Sequence, residues 1–148
     1  GGRLKRIVDL ISEPTFLMTY GDGVADVNIS DLVSFHKNHG KMATITSVRS
    51  PGRFGVLTLN NDKVETFEEK PHGKGGWING GFFVLEKSAL NLVSGDETIW
   101  EQEPLTRLAQ HNELMAFRHD GFWQPMDTLR DKNNLNKLWE NGATWECW

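Results

Sequence analysis

The chain carries apolar positions in two periods, and each period predicts a different kind of element. Leu4, Ile7, Val8 and Ile11 follow the i, i+3, i+4, i+7 spacing of one helix face. Glu13-Pro14 then breaks that pattern. The run "TFLMTY", Thr15 to Tyr20, is short and almost continuously apolar, as expected of a buried strand. "GDG" ends it. "NISDLVSFHKNHG" predicts a helix capped by Asn28 or Ser30, with Leu32 and Phe35 inward and Gly40 as the stop. "MATITSV" is rich in β-branched residues and predicts a second strand. Strand, helix, strand in this order predicts a crossover and an α/β fold.

The middle of the chain changes character. "FGVLTL", "NND" and "KVETFEEK" predict a hairpin with a polar turn, and "HGKGG" a loop. "WINGGFFVL" is an apolar strand interrupted by Gly80 and Gly81. Short helices are expected around 88–93 and 103–110. "LMAFRH" and "GFWQPM" are strand-like. "TLRDKNNLNKLWEN" predicts a last helix, with Leu135, Leu138 and Trp139 on one side. No repeat, low-complexity tract or linker divides the sequence, so one domain over residues 1–148 is expected. A chain that opens directly on an amphipathic helix, without Met, is expected to be part of a larger protein.

Composition narrows the classes. A net charge of −4 argues against a nucleic-acid binder, which usually presents a basic face. A small anionic ligand needs only a few local cations or backbone donors and stays possible. With Cys147 as the single cysteine no intrachain disulfide can form, which fits a reducing compartment. No apolar run reaches the length of a membrane span, and no signal-peptide pattern opens the chain, so a cytoplasmic location is expected.

Four segments carry candidate chemistry. Gly-Asp-Gly puts Asp22 at the carboxyl end of a predicted strand, the edge at which open α/β sheets bind ligands. From this local motif alone an ordinary Asp-Gly turn is the favoured explanation. Asp127 lies where an apolar segment meets the last helix, and could be its N-cap. Two such aspartates can meet above one sheet, and two carboxylates with substrate phosphates suit Mg²⁺. In "FEEKPHG", Pro71 restricts Lys70 to extended geometry, so its ammonium is partly aimed and can neutralise a phosphate; a solvated strand end is the plainer alternative. In "INGGFFV", Asn79 suits sugar hydroxyls and the glycines allow close approach. A β-bulge at the glycine pair is again the plainer alternative.

Other candidates are weaker. His36 and His39 share a helix without an acidic or Cys partner in sequence, and read as surface residues. His72, His111 and His119 lack metal-ligand spacing. Glu101 and Glu103 are explained by the dipole of a nearby helix start. There is no Walker-type loop, no Gly-x-Ser-x-Gly elbow, and no activating partner for Cys147.

Taken in order, "YGDGVAD", "FEEKP", "INGGFFV" and "WEQEPLTRLAQ … GFWQPMDTLRD" resemble the sugar-phosphate nucleotidyltransferases, nearest the branch that joins CTP to glucose 1-phosphate. The family's opening Gly-Gly-x-Gly-Thr-Arg loop and following Lys-Pro segment do not occur here. The chain therefore resembles the C-terminal portion. The resemblance implies a Rossmann-like nucleotidyltransferase fold: α/β, with a mixed, mostly parallel sheet flanked by helices, lacking the N-terminal nucleotide-loop part. It implies Mg²⁺ as cofactor, held by Asp22 and Asp127, and a catalytic Lys70 on the sugar phosphate. It implies Glu69, Asn79 and Gly80 at the sugar, and Arg3 and Gly21 at the nucleotide. CTP and glucose 1-phosphate are the implied substrates and a homo-oligomer the implied state. UTP or dTTP in place of CTP, or a non-catalytic sugar-phosphate binding module, remain open. Loss of the first strands of such a sheet is expected to leave an uncovered edge and to promote self-association.

Overall fold

The structure, a computed structural model, describes residues 1–49, 56–60, 63–68 and 76–146. A four-stranded sheet forms its centre. The chain enters through a short helix, α1 (Gly2–Arg6), and a 3-10 turn (Val8–Leu10), then passes into β1 (Thr15–Thr19). A short strand, β2 (Gly23–Ala25), leads to helix α2 (Ile29–His39) and then β3 (Ala43–Arg49). Strands β4 (Val56–Asn60) and β5 (Lys63–Glu68) pair antiparallel, as the hairpin pattern predicts. The long strand β6 (Trp77–Glu86) follows, then a 3-10 turn (Lys87–Leu92), helix α3 (Glu103–Gln110), β7 (Leu114–His119), β8 (Trp123–Pro125) and helix α4 (Leu129–Glu140).

The sheet order is β1-β6-β3-β7. Strand β6 is antiparallel to both β1 and β3, while β7 is parallel to β3. Hence β1, β3 and β7 point the same way and β6 runs between them in the opposite direction. The sheet is mixed and the α/β class stands. The β1–α2–β3 crossover also stands, but its two strands are not neighbours.

Burial follows from that order. Strand β6 has a partner on each side and a packed layer on each face. Phe83 and Leu85 point into a cluster with Ala43, Leu90, Val93, Trp100 and Leu108. Val84 points the other way, to Val27 and Leu32, with Phe82 packed alongside. The two-residue period sends alternate side chains to opposite faces. A continuous apolar run is the result, and full burial of a side chain such as Phe83 stabilises by about 2–3 kcal/mol. Strand β1 does not meet its expectation. It lies at the sheet edge, and Leu17 is 53% exposed, because its outer neighbour is absent among the described residues.

Helix signals were accurate where local chemistry decides. The Asn28 side chain accepts the backbone N–H of Asp31, and Gly40 closes α2 with φ +63°. Leu4, Val8 and Ile11 pack on the first cluster, but the opening helix is only one turn and Ile7 is exposed. Thr128 caps α4 in a capping box with Asp131, so the cap expected of Asp127 belongs to its neighbour.

The surface reading of His36 is overturned. Its side chain is 2% exposed and sits over the sheet at Glu86 and Thr44. The Lys41 backbone N–H donates to His39 Nδ1 at 2.9 Å, so the His39 proton is on Nε2, 2.7 Å from Thr44 Oγ1. The Thr44 hydroxyl then donates to His36 Nδ1 at 2.8 Å. His36 Nε2–H in turn reaches Glu86 Oε1 at 3.1 Å, which also accepts from Thr15 at 2.6 Å. Every member of the chain is satisfied with both rings neutral.

Candidate active site

Strand β1 ends in the turn Gly21-Asp22, and β2 starts immediately after it. Strand β2 is too short to stand alone. It pairs antiparallel with β8, with Gly23 opposite Pro125 and Ala25 opposite Trp123. One further backbone bond extends this ribbon: the Met126 N–H donates to the Asp22 carbonyl at 2.6 Å. Asp22 and Met126 are therefore opposed, and Asp127 follows Met126 directly. Two aspartates at either end of the sequence pattern arrive at one end of one ribbon.

The ribbon is fastened to the central sheet through an indole. Trp123 Nε1 donates to the Gly80 carbonyl at 2.8 Å. The glycine pair lets β3 and the Tyr20 ring pack closely on β6. A Cβ on Gly80 would lie 2.8 Å from Val48 Cγ1 and 3.0 Å from the Thr46 carbonyl oxygen. Gly81 has φ +81°, and a Cβ there would lie 2.9 Å from the Tyr20 ring. The β3–β6 register shifts between Ile45 and Ser47, opposite this pair. The bulge expected as the plainer alternative is thus present, and it shapes the cleft.

The cleft is lined by Tyr20, Asp22, Asn79, Gly80, Trp123 and Pro125, among others. Three sequence candidates, Asp22, Asn79 and Gly80, are brought together there. Asn79 is held at both ends. Its Nδ2 donates to the Tyr20 hydroxyl at 3.0 Å, and its Oδ1 accepts the Gly81 N–H at 2.8 Å. The Tyr20 hydroxyl donates to Glu101 Oε1. Burial, reinforced by the Glu101 bond, pushes the Tyr20 phenol above its ordinary value.

At the far end of the ribbon, the Asp26 N–H donates to the Phe122 carbonyl at 3.1 Å. His119 Nε2 pairs with that same carbonyl at 3.1 Å and lies 3.0 Å from Asp26 Oδ1. The Asp26 oxygen makes no directed hydrogen bond, so this second contact is one of proximity only. Gly121 leaves room for it, since a Cβ there would lie 2.4 Å from Asp26 Oδ1.

Other candidates lie elsewhere. Arg3 is exposed on α1, which docks on the 93–98 segment through Lys5 Nζ to the Val93 carbonyl at 2.6 Å and Arg6 to Asp96. Arg3 does not line the cleft. Gly21 is exposed, beside Asp22. Glu69, Lys70 and His72 fall outside the described residues. Among the described residues no three His, Cys, Asp or Glu side chains group as metal ligands. Two carboxylates alone fit Mg²⁺, which takes few protein ligands and fills its shell with phosphate oxygens and water. No helix among the described residues is long and apolar enough to cross a membrane.

Two residues of the site carry no role in the sequence analysis, Tyr20 and Trp123, and Glu101 has a different role from the one expected. Tyr20 is the single tyrosine and stands next to Gly21-Asp22, an amphipathic ring at a strand end, which is a usable signal. Glu101 was assigned to a helix dipole. That role falls to Glu103, in the first turn of α3 and 2.6 Å from Arg107, while Glu101 turns to Tyr20.

Comparison with known proteins shows the family of the chain. Residues 4–140 match the family model described as Nucleotidyl transferase. A glucose-1-phosphate cytidylyltransferase of Salmonella typhimurium is 57% identical over the whole chain. A Bacillus subtilis protein described as "Probable glucose-1-phosphate cytidylyltransferase" is 41% identical over 99% of it. The chain spans 58% of the length of each of these relatives. The crystal structure of HddC from Yersinia pseudotuberculosis complexed with GMP-PN superposes with a TM-score of 0.66. It covers 92% of this chain, which covers 60% of it, and at 18% identity it shows the shared fold alone.

Proposed function

The chain belongs to the nucleotidyl transferase family, and we propose that it carries the sugar-phosphate side of a glucose-1-phosphate cytidylyltransferase. In the proposed reaction a phosphate oxygen of glucose 1-phosphate attacks the α-phosphorus of CTP. One P–O bond forms, the bond between the α- and β-phosphates breaks, pyrophosphate leaves and CDP-glucose results. An in-line displacement of this kind asks the protein for positioning and charge neutralisation, and needs no protein nucleophile.

Asp22 and Asp127 would hold Mg²⁺, which when bound supplies charge neutralisation to the phosphate oxygens. The remaining roles belong to side chains and backbone. Lys70 neutralises the sugar phosphate. Glu69 and Asn79 hold the sugar hydroxyls, with Gly80 next to Asn79 at the sugar. Gly21 and Arg3 contact the nucleotide. The single observation that carries this reading is the Met126–Asp22 backbone bond, which sets the two aspartates at one ribbon end. A homo-oligomer is the expected state of the working enzyme.

The test is Mg²⁺-dependent pyrophosphate release from CTP and glucose 1-phosphate. It is run with this chain alone and with the glycine-rich segment of a full-length relative added in trans. Release that requires both substrates supports the proposal, and UTP or dTTP in place of CTP tests the base. Binding of glucose 1-phosphate without release under either condition would favour a non-catalytic sugar-phosphate module instead.

A further inference from the structure

We propose that Glu101 is a positioning residue: acting through the Tyr20 hydroxyl, it holds the nitrogen end of the Asn79 side-chain amide, whose oxygen end the Gly81 N–H holds, and so keeps that amide in place for the sugar. The sugar assignment rests on the function proposed above. The positioning itself rests on the geometry.

The direction of each bond follows from its partners. A carboxylate accepts and cannot donate, so the Tyr20 proton is committed to Glu101. The phenol oxygen is left with lone pairs only. It can accept from Asn79 but cannot donate to it, so the Asn79 nitrogen must face Tyr20. The Gly81 N–H independently requires an oxygen at the other end of the amide. Both constraints select the same placement of the amide nitrogen and oxygen.

The rest of the network is preset. The Tyr20 ring lies directly against Gly81, where no Cβ intervenes, with the Phe83 ring centroid 5.5 Å away. The Tyr20 N–H donates to the Gly81 carbonyl at 2.9 Å. Only the hydroxyl can rotate, and Glu101 determines where it points. With Gln at 101, the side-chain amide can donate to the phenol oxygen. The Tyr20 proton is then released toward Asn79 and opposes its Nδ2, so the amide is left held by the Gly81 N–H alone.

The experiment compares the chain with its E101Q and Y20F variants in two readouts. The first needs no ligand: side-chain amide NMR of Asn79. E101Q is expected to shift the Asn79 Nδ2 resonances and speed their hydrogen exchange, and Y20F to do the same. The second is calorimetric titration with glucose 1-phosphate and with its single-deoxy analogues. A site built on a hydrogen bond rejects ligands that lack the matching hydroxyl. E101Q is expected to weaken glucose 1-phosphate roughly tenfold, about the value of one such bond. It should narrow the gap to the analogue lacking the hydroxyl that Asn79 meets, and the double variant should be no worse than Y20F alone. A purely structural role would weaken all ligands alike and add across the double variant.

Unchanged Asn79 resonances in E101Q, or equal glucose 1-phosphate affinity in all variants, would overturn the proposal. If the resonances move but glucose 1-phosphate binds no form of the chain, Glu101 still positions Asn79. In that case the substrate assignment is what fails.

Discussion

The backbone N–H of Met126 donates to the carbonyl of Asp22 at 2.6 Å, closing the β2–β8 ribbon at the end where Asp127 follows. Neither residue of this bond contributes its side chain. Their part is to bring two carboxylates to the same end of the ribbon. Asp22→Asn and Asp127→Asn are each expected to reduce Mg²⁺-dependent turnover by about 100-fold or more, since each removes a charge meant for the metal. The fold should persist in Asp127→Asn, because Thr128 and Asp131 still cap α4. Pyrophosphate release and a thermal melt check the two halves. Full activity in Asp127→Asn would remove the two-aspartate metal site.

The ribbon depends on Trp123. Trp123→Phe keeps an aromatic ring, though a smaller one, and removes the donor to the Gly80 carbonyl. A buried carbonyl left without its partner costs about 1–3 kcal/mol. Gly80 is itself buried, so water cannot readily replace the indole. Urea denaturation should show a loss of that size, accompanied by weaker Mg²⁺-dependent activity, because the ribbon carrying both aspartates is no longer tied to β6. A loss of stability with activity intact would separate the indole from the site.

The elements just named differ in how far the sequence disclosed them. Helix α2 was legible because Asn28, Gly40 and the spacing of Leu32 and Phe35 act within a few residues of one another. The placement of β6 between β1 and β3 was not, since strand pairing is decided by contacts far apart in the chain. The burial of His36 has a signal in the sequence, since it stands four residues after Leu32, on the same helix face. Its partner Glu86 is on another element, and no local rule connects them. At the site, Asp22, Asp127 and Asn79 could be singled out as residue types. Tyr20 and Glu101 act through a bond spanning 81 positions, which only the fold brings into being.

The histidine chain over the sheet makes stability depend on pH. Burial lowers the His39 pKa, helped by the nearby His36 and Lys41, while Glu113 opposes it. The Thr15 hydroxyl, followed by His36, lowers the Glu86 pKa. Between the lowered His39 value and the ordinary histidine value of about 6.5, the unfolded chain binds more protons than the folded one. Stability therefore falls as pH drops below about 6.5. Glu86 acts in the same direction at lower pH. Its contribution is present above the ordinary carboxylate range and is lost as pH falls through its lowered folded value. Urea unfolding at a series of pH values should give a plateau above neutrality and a decline on acidification. His39→Gln should flatten the upper part of that decline. Stability that rises between neutral pH and pH ~6 would contradict the neutral chain of rings.

The edge of β1 leads to a prediction about association. Among the described strands β1 pairs only with β6, so its other side presents unpaired backbone groups. An apolar groove runs along it, lined by Leu10, Ile11, Phe16, Leu17, Val33 and Val84. Leu10 is 82% exposed and Leu17 53%. An open strand edge beside exposed apolar surface is a template for pairing with another chain. The chain is therefore expected to self-associate in a concentration-dependent way in sedimentation velocity. Leu17→Lys should shift it toward monomer by placing a charge on that strand. Adding the glycine-rich segment of a full-length relative should compete with self-association if it covers the same edge. A monomer at every concentration would mean that the exposed edge is tolerated. Association that Leu17→Lys leaves unchanged would move the interface away from β1.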